Sequence, residues 1–562
     1  MRVVEGRRLT GPNWLLRTHG AAVQVAYDPG EVHATLSKTW KARVMSMTTA
    51  LGWPQQARLR VHQGGATFAL AAPIDLLNTA VDVAEWAVEP ERFDRTADAR
   101  RTFREAAKAE ANPAFAALAE FAWELDLPFL WDEKVVSLGF GASCLCWPIG
   151  DLPEPSELYD RPFQTIPVAL VTGTNGKTTT SRLLAHMARC EGLHVGNTST
   201  DGWSVDEHTV EEGDWTGPGA ARKVLRDPRV EVAVLETARG GLLRRGLATN
   251  LASVAVVTNV SNDHLGEWGV DDLDDMASAK LSIRRGLRPG GKLVLNAGNS
   301  PLVRVARDED IFVPTLNTAW FCADPRDRTF DEFLRSGAET ACVRDGVLVY
   351  QCGPHREYVL ALSEAAFTFG GQARHNVENA LAAVLAARGL GLGWPAIRDG
   401  LRSFASNPAD NPGRANVLAL NGGKVMLDFA HNADGVRSIV QLARALPATR
   451  RLITLGQAGD RSDEAIAELA LIARELDADR YLLKETEHYL RGRTLGEVTG
   501  LMRKALMGAG VDEARIGVHM DEATAVEAAA AWVQAGDLAV VLVHDSFSAA
   551  LKALQARGAT PA

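Results

Sequence analysis

The stretch that decides the fold is Gly173-Thr174-Asn175-Gly176-Lys177-Thr178-Thr179. It follows a continuous apolar run, Ile166 to Val171, and opens a segment of helical periodicity, Thr178 to Cys190. A buried strand, a glycine loop and a helix in this order turn backbone N–H groups and a helix N-terminus toward an anion. Lys177 adds a positive charge, and the Thr178 hydroxyl can ligate Mg²⁺. The stretch therefore predicts a phosphate-binding site.

The loop departs from the common phosphate-loop pattern at one position. A strict pattern has glycine at position 171, where this chain has Val171. A plain glycine-rich turn at a strand end is the alternative interpretation. The Lys-Thr-Thr sequence after Gly176 favours the phosphate site, because those residue types are specific for phosphate and metal binding.

Composition excludes several classes of protein. The chain has 562 residues, 46% hydrophobic and 23% charged, as expected for several globular domains. Lys and Arg total 60 against 70 Asp and Glu, and a net charge of −10 provides no basic field for nucleic acid. We find no signal peptide and no run of about 18 apolar residues, so we expect a cytoplasmic protein without a membrane partner. The six cysteines give no disulfide framework, and we expect them to be reduced.

The pattern of elements predicts an α/β protein of three domains. Residues 1–160 are expected to form a small α+β domain, with helices at Ala97 to Ala111 and Pro113 to Leu125. A proline-rich connection, Trp147 to Pro155, separates it from a central domain at 161–408 with a largely parallel sheet. Residues 409–562 are expected to form a second, Rossmann-like α/β domain. The strands predicted after the phosphate loop are Val230 to Glu236, Ser253 to Thr258, Gly291 to Asn296, Lys424 to Phe429 and Arg451 to Leu455.

Further motifs carry a resemblance to a known family. The sequence TGTNGKTT is similar to the phosphate loop of the Mur ligases and the folylpolyglutamate synthetases. Over about 390 residues from Ile166, the chain resembles the Mur-ligase half of cyanophycin synthetase in particular. The segments that carry this are Gly213 to Pro218 (GDWTGP), Leu225 to Pro228 (LRDP), Leu235 to Gly241 (LETARGG) and Asn259 to Gly266 (NVSNDHLG).

The resemblance implies an ATP-dependent ligase that activates a carboxylate as an acyl phosphate and joins it to an amine. Glu236, at the end of a predicted strand, would then join Thr178 as a ligand of Mg²⁺, the ion expected to accompany ATP. His264 lies where Mur ligases place a second metal ligand. Lys280 matches the lysine that many of them carry as a carbamate. By themselves these are a strand-end carboxylate, a surface histidine and a solvated helix lysine.

The last domain is expected to complete the nucleotide site. Asn376, within Gly370 to Asn379, matches an adenine-contacting asparagine of the family, although His-Asn before a helix is also an ordinary helix cap. Arg414 matches a linker arginine that reaches the γ-phosphate. Asp428 matches a ribose-contacting aspartate in a family segment Asp-Tyr-Ala-His-Asn-Pro, where this chain has Phe429 and Ala433 instead. Charged groups at Gly459 to Asp463, Lys484-Glu485 and Arg491 to Arg493 are candidates for binding the incoming amino acid.

Cyanophycin synthetase also contains an ATP-grasp domain that this sequence does not match. Only about 25 residues separate the first domain from the phosphate loop, so we expect one ATP site and the formation of one bond. Leu9 to Trp14 (LTGPNW) resembles the first domain of that enzyme over a short match. A further departure is Leu295 to Asn299 (LNAGN), where related ligases often have Leu-Asn-Ala-Asp-Asp.

The identity of the substrates stays open at this point. The resemblance favours an amino acid or a cyanophycin-like peptide, and a homo-oligomer is compatible with the sequence. A non-catalytic ATP-binding partner of such a synthetase, or a cell-wall or folate ligase, is the alternative.

Overall fold

The computed structural model of the chain describes residues 1–28, 33–92, 98–263, 265–309 and 317–562. These residues form two units. The first unit comprises Met1–Val343, Val349–Tyr358 and Leu381–Gly400. The second comprises Arg344–Leu348, Val359–Ala380 and Leu401–Ala562.

The first unit begins with an antiparallel sheet in the order β1-β2-β4-β3, covered by helices. Strand β4 is buried along its whole length, and Phe68 on it stacks on Trp40 of helix α1 with ring centroids 4.6 Å apart. The elements of this region are β1 (Arg2–Leu9), β2 (Gly20–Ala26), α1 (His33–Leu51), β3 (Ala57–His62), β4 (Gly65–Ala71), α2 (Leu77–Val88), α3 (Ala99–Glu110), α4 (Pro113–Glu124), β5 (Phe129–Trp131), β6 (Val135–Leu138) and β7 (Leu145–Pro148).

The two helices predicted in this region are confirmed as α3 and α4. The side chain of Asp98 accepts a hydrogen bond from the Arg100 N–H and caps α3. Asn112 caps α4 in the same way, and Pro113 occupies its first turn, where a missing N–H costs nothing. Residue 97, the predicted start of the first helix, lies outside the described residues.

The phosphate loop lies at the centre of a large sheet. Within the described residues this sheet has eleven strands in the order β11-β10-β9-β12-β8-β13-β14-β15-β16-β17-β18. Strand β8 pairs in parallel with β12 on one side and β13 on the other, as the buried apolar runs predicted. The elements are β8 (Val168–Thr172), α5 (Lys177–Cys190), β9 (Val195–Ser199), β10 (Gly202–Val205), β11 (His208–Glu212), α6 (Pro218–Arg226), β12 (Val232–Glu236), α7 (Arg239–Arg244), β13 (Ala252–Val257), α8 (Leu273–Leu281), β14 (Leu287–Asn296), α9 (Ser300–Asp308), β15 (Asn317–Cys322), α10 (Arg328–Arg335), β16 (Glu339–Arg344), β17 (Val347–Cys352), β18 (His355–Ala361), α11 (Arg374–Leu390) and α12 (Trp394–Ser403).

The second unit is built around another sheet, in the order β23-β22-β21-β24-β20-β19-β25. Strands β20, β24, β21, β22 and β23 are parallel, and helices α13 to α15 bury apolar side chains against them. The elements are β19 (Asn416–Leu420), β20 (Gly423–Asp428), α13 (Ala433–Ala445), β21 (Arg451–Leu455), α14 (Asp463–Arg474), β22 (Arg480–Lys484), α15 (Glu497–Gly508), β23 (Ile516–His519), α16 (Glu522–Trp532), β24 (Leu538–Leu542), α17 (Phe547–Ala556) and β25 (Thr560–Pro561).

The predicted fold class, α/β with a small α+β region at the N-terminus, is confirmed by these sheets. Helices capable of spanning a membrane are not found among the described residues.

Candidate functional site

The phosphate loop joins the carboxyl end of β8 to the first turn of α5. Gly173 and Gly176 have φ angles of 153° and 84°, in the region that favours glycine. A Cβ at Gly173 would lie 1.8 Å from Thr258 Oγ1, so a side chain there would displace the neighbouring strand end. The Lys177 ammonium donates a hydrogen bond to the Thr174 carbonyl, 3.0 Å away. The backbone is therefore already bent as an anion cradle requires.

Two residues after β13 hold this loop, and nothing local in the sequence indicated their role. Thr258 Oγ1 donates to the Asn175 carbonyl at 2.6 Å, and Asn259 Nδ2 donates to the same oxygen at 3.1 Å. The Asn259 side-chain oxygen accepts from the Asn175 N–H at 2.9 Å. The strand order brings the ends of β8 and β13 side by side, so only the fold reveals that Thr258 and Asn259 are scaffold residues of the loop.

Glu236 and Thr178 lie together beneath the phosphate loop. Glu236 ends β12, the neighbour of β8, and is 2% exposed. The Thr178 hydroxyl donates a hydrogen bond to Glu236 Oε2 at 2.9 Å. A carboxylate and a hydroxyl at this spacing are a pair of hard oxygen donors, which is the ligand type that Mg²⁺ takes beside substrate phosphates. These two residues, predicted as metal ligands, are brought together by the fold.

Lys280 is buried on helix α8 and is not the solvated lysine that an isolated helix would suggest. Burial, with the nearby cations Lys177 and Arg239, lowers the pKa of Lys280 well below its ordinary value, and Asp263 opposes the shift. The neutral amine of such a lysine is populated at far lower pH than that of an exposed one. His264, the other predicted residue of this region, lies outside the described residues.

Asn299 stands where the Leu-Asn-Ala-Asp-Asp pattern of related ligases has its last aspartate, and the structure gives a reason for this difference. Its Nδ2 donates to the Val260 carbonyl at 2.9 Å. Asn296, which the pattern shares, donates in the same way to the Thr258 carbonyl at 3.0 Å. Both amides therefore support the backbone that in turn holds the phosphate loop. A carboxylate at position 299 could not donate this hydrogen bond at neutral pH.

Asn376 belongs to the second unit and has an internal role there. Its side-chain nitrogen donates to the Phe367 carbonyl at 2.8 Å, and its oxygen accepts from Asn379 Nδ2 at 3.3 Å. Phe369 and Gly370 in the same segment have positive φ angles of 54° and 65°. The buried amide thus fixes a bent segment at the start of helix α11, beyond the helix-cap role that the sequence suggested.

Arg414 and Asp428 are neighbours within the second unit. The Asp428 carboxylate accepts hydrogen bonds from the N–H groups of Ala415 and Ala430, both at 2.7 Å. Burial raises the pKa of Asp428 to about 6, while Arg414 and these backbone donors act in the opposite direction. The Arg414 guanidinium lies 5.1 Å from the ring centroid of Phe429, the residue that replaces the family tyrosine. The replacement therefore keeps an aromatic face for the arginine.

The charged residues considered for the amine substrate are largely engaged inside the second unit. Lys484 is buried in an ion pair with Glu522. Glu485 accepts from the N–H groups of Gly496 and Thr499 at 2.6 and 2.7 Å. Arg493 donates to two backbone carbonyls and pairs with two carboxylates. These contacts stabilise the loops of the unit and engage the charged groups of Lys484, Glu485 and Arg493 within it.

Family models match both regions that carry this geometry. Residues 171–324 match the Mur ligase middle domain, and residues 413–543 match the Mur ligase, glutamate ligase domain. Through these two domains the chain belongs to the Mur ligase family. The resemblance predicted from the sequence is thereby confirmed.

Curated relatives include cyanophycin synthetases. The enzyme of Synechocystis sp. is 39% identical over 417 residues, which are 73% of this chain and 45% of that protein. The enzyme of Trichormus variabilis is 37% identical over 408 residues, 73% of this chain and 44% of that protein. The chain therefore spans less than half the length of these relatives.

A solved structure supports the fold assignment. The crystal structure of a bifunctional folylpolyglutamate synthase/dihydrofolate synthase with Mn, AMPPNP and L-glutamate bound matches 69% of this chain and 89% of that one. The TM-score is 0.51 at 20% sequence identity. At this identity the likeness shows a shared fold.

Proposed function

We propose that the chain is an ATP-dependent ligase that joins a carboxylate to an amine through an acyl phosphate. The observation that carries the proposal is the pairing of Thr178 with Glu236 beneath a phosphate loop that ends in Lys177. A carboxylate oxygen of the acceptor attacks the γ-phosphorus of ATP and ADP leaves. The amine nitrogen then attacks the acyl carbon, inorganic phosphate leaves, and the amine loses a proton.

The oxygen donors under the loop fit Mg²⁺. Thr178 and Glu236 would hold the ion, and His264 is retained as a further ligand on the family pattern. When bound, the ion neutralises charge on the phosphate oxygens.

The loop itself would hold the phosphates of ATP. Lys177 adds a fixed charge there, and Gly173, Thr174, Asn175, Gly176 and Thr179 are retained as phosphate contacts on the pattern of such loops. The chain thereby positions and stabilises the transferring phosphoryl group.

The state of Lys280 supports the proposed carbamate. Carbamate formation requires an unprotonated amine, and burial next to two cations favours that form. A carbamate would change the charge of the side chain from positive to negative, which the surrounding Lys177 and Arg239 would stabilise. In this proposal the carbamate of Lys280 supplies carboxylate oxygens to the metal site.

The second unit would supply the remaining nucleotide contacts. Asp428 would accept from the ribose hydroxyls, and Arg414 would donate to the γ-phosphate. Asn376 would contact adenine by exchanging its hydrogen bond with Asn379 for one to the base. The domain limits proposed for these roles are 161–408 for the central domain and 409–562 for the C-terminal domain, after an N-terminal domain at 1–160.

The matched relatives support a proposal for the substrate class. Because the matched relatives are cyanophycin synthetases, we propose an amino acid or a cyanophycin-like peptide as acceptor and an amino acid as the amine. Since ATP is the energy source, we place the reaction in the cytoplasm.

The proposal is tested by ADP release over a panel of carboxylates and amines. We expect release that depends on both an acceptor and an amine, with an amide product visible by mass spectrometry. Binding of ATP without release over a broad panel would instead favour the non-catalytic ATP-binding partner. Turnover of a cell-wall or folate precursor alone would replace the cyanophycin-like acceptor.

A further inference from the structure

A cleft lined by arginines lies within the first unit, and its walls come from strand β1, helices α2, α6 and α7 and the turn between β5 and β6. One part of it is a cavity of about 300 Å³, and the adjoining part has about 450 Å³. Both parts share two of the arginines, Arg8 and Arg245. We call this site the arginine cleft, and its guanidinium groups are those of Arg7, Arg8, Arg222, Arg244 and Arg245.

Among the described residues, most of these guanidinium groups form no ion pair with a carboxylate. Arg8 pairs with Glu133 at 2.5 Å. In the part of the chain that the structure describes, no carboxylate lies within ion-pair distance of the other four arginines, Arg7, Arg222, Arg244 and Arg245. Removing a charge from water without a partner is strongly unfavourable, so the enclosed members of this set indicate an external anion.

Arg222 is the most deeply placed member of the cleft. It is 9% exposed, and its Nη2 donates to Thr10 Oγ1 at 3.1 Å. Among the described residues, its buried Nε has no acceptor. Burial, with the neighbouring Arg226, lowers the pKa of Arg222 to about 10, so the group still carries its charge at neutral pH. Asp132, the carboxylate that acts against this shift, is already bound by Arg226 at 2.6 Å.

Arg7, at the other end of the cleft, also has one nitrogen that donates a hydrogen bond and one buried nitrogen without an acceptor in the described part of the chain. Its Nε donates to the Leu243 carbonyl at 3.2 Å, while its buried Nη1 has no acceptor in the described residues. Burial, with the neighbouring Arg244, lowers the pKa of Arg7 to about 10, while Glu5 acts in the opposite direction. Arg7 and Arg244 both lie over the ring of Trp268, at 5.0 and 5.5 Å. The acidic side chains of the lining are Glu5, Asp82, Asp132 and Glu133, fewer than its cations, which include Lys134.

The walls of the cleft are fixed by backbone contacts between the segment after β1 and the segment after α7. The Thr10 N–H donates to the Arg245 carbonyl at 2.8 Å, and the Leu247 N–H donates to the Pro12 carbonyl at 2.7 Å. A Cβ at Gly246 would lie 2.6 Å from the Gly11 carbonyl oxygen. The close approach of these chains makes the cleft a permanent feature of the unit.

The cleft adjoins the phosphate site through α7. This helix begins three residues after Glu236, ends at Arg244 and is about 9 Å long. An extended peptide advances about 3.3 Å per residue, so three or four residues are about as long as this helix. The start of α6, which lines the cleft, is tied to the same strand end by the hydrogen bond from the Ala238 N–H to the Thr216 carbonyl at 3.2 Å.

We infer that the arginine cleft binds further carboxylates of the acceptor, so that the acceptor is an acidic peptide with more than one carboxylate. This inference rests on the proposed function, because the cleft is assigned to the acceptor by helix α7, which connects the strand end at Glu236 to Arg244 of the cleft. Guanidinium groups bind carboxylates through paired N–H donors, and these charge-assisted hydrogen bonds are stronger than those between neutral groups.

The binding test uses the full chain and tetra-aspartate as the probe, measured by isothermal titration calorimetry. We expect Arg222→Gln and Arg245→Gln to weaken peptide binding by about tenfold or more, from the loss of a charged hydrogen bond. Arg229→Gln is the matched control, because Arg229 is exposed, paired with Asp227 and outside the cleft. Arg245 is itself exposed, so its substitution leaves the core intact if Arg222→Gln fails to fold.

Two outcomes would overturn the inference. One is equal affinity of the peptide for the wild type, both cleft variants and the control. The other is binding of inorganic phosphate that displaces the peptide at similar concentration, which would identify an inorganic-anion site only.

ADP release separates this inference from the proposed function. We expect the cleft variants to raise KM for the peptide acceptor by about tenfold with little change in kcat, because they remove binding distant from the reacting atoms. Unchanged KM with amine-dependent turnover would refute the cleft as acceptor site and leave the ligase intact. Peptide binding through Arg222 without any turnover would refute the ligase and leave the binding site.

Discussion

The phosphate loop and the loop that follows Asp428 occupy equivalent positions in the two units, but different kinds of side chain hold them. Each joins the carboxyl end of a buried strand to a helix, β8 to α5 in one unit and β20 to α13 in the other. Uncharged side chains of Thr258 and Asn259 hold the phosphate loop. A buried carboxylate, that of Asp428, holds the second loop by accepting from the N–H groups of Ala415 and Ala430.

The two loops differ in the free energy that it costs to hold their conformation in the ligand-free protein. Uncharged donors and acceptors can be buried at little cost once they are hydrogen-bonded, and their state does not change with pH. A buried carboxylate has a raised pKa and destabilises the ligand-free protein when it ionises. We conclude that the phosphate loop is preorganised without a charge, whereas the second loop holds a charge that a ligand would help to stabilise.

The largest effect is expected at the cation of the phosphate loop. Lys177→Met should lower kcat/KM by about a thousandfold, because it removes charge stabilisation of the transferring phosphate. Steady-state ADP release measures the change. Lys108→Met, at an exposed lysine of α3, is the control and should leave turnover unchanged. A loss of less than about tenfold at Lys177 would show that the loop acts without its cation.

Lys280 should show the next largest effect. Lys280→Met is expected to reduce activity by about ten- to a hundredfold, the range found for groups that support metal ligands. Wild-type activity should fall in CO₂-depleted buffer and return with bicarbonate, whereas the variant should not respond. A wild type that is indifferent to bicarbonate would exclude the carbamate.

Asn259 tests whether the uncharged scaffold is required. Asn259→Ala removes one acceptor and one donor that hold Asn175, and should weaken ATP binding by about tenfold or more. Equilibrium titration with a nonhydrolysable ATP analogue measures the affinity. Asn250→Ala, at an exposed asparagine before the opposite end of β13, is the matched control. Equal affinity of the wild type and both variants would contradict the scaffold role.

Asp428 should give the smallest effect, visible in stability. Its pKa rises from 3.8 to about 6 on folding, so the folded state keeps a proton that the unfolded state loses between these values. The stabilisation by this proton is fully present below pH 3.8 and is lost as the pH rises through about 6. Between about pH 5 and pH 8 the part still to be lost is about one pKa unit, or about 1.4 kcal/mol. The Tm of Asp428→Asn relative to wild type should therefore increase across this range.

Thermal unfolding of both proteins at the two pH values checks this prediction. A Tm difference that stays constant with pH would show that the Asp428 carboxylate ionises as easily in the folded protein as in the unfolded one. Hydrogen bonds lost in the asparagine variant affect both pH values alike, so they do not obscure the sign.

The elements that could be predicted from the sequence are those whose signal is local. The buried run before Gly173 and the helix after Lys177 placed β8 and α5 to within about two residues, because apolar periodicity and glycine positions act over short distances. Glu236 was predicted from its strand end and lies against Thr178. The roles of Thr258 and Asn259 could not be predicted, since they depend on strand order between distant segments.

The charged partners of individual side chains could not be predicted from the sequence either. Lys484 and Arg493 were predicted as candidates for substrate binding, and the sequence did not indicate that Lys484 pairs with Glu522 and Arg493 with Asp463, both distant along the chain. The arginine cleft could not be predicted from the sequence either. Its arginines come from β1, α6 and the end of α7, and nothing in the local sequence distinguishes them from surface arginines. Burial and the ion pairs that an arginine makes are properties of the fold.

The central claim is that the acceptor carboxylate attacks ATP directly, and oxygen-isotope transfer tests it most directly. An acceptor labelled with ¹⁸O in the carboxylate is incubated with the enzyme, ATP and the amine, and the phosphate released is analysed by mass spectrometry. We predict one ¹⁸O atom in each phosphate, because the acyl phosphate leaves its bridging oxygen on phosphorus when the amine attacks. Amide formation with unlabelled phosphate would contradict the acyl-phosphate route.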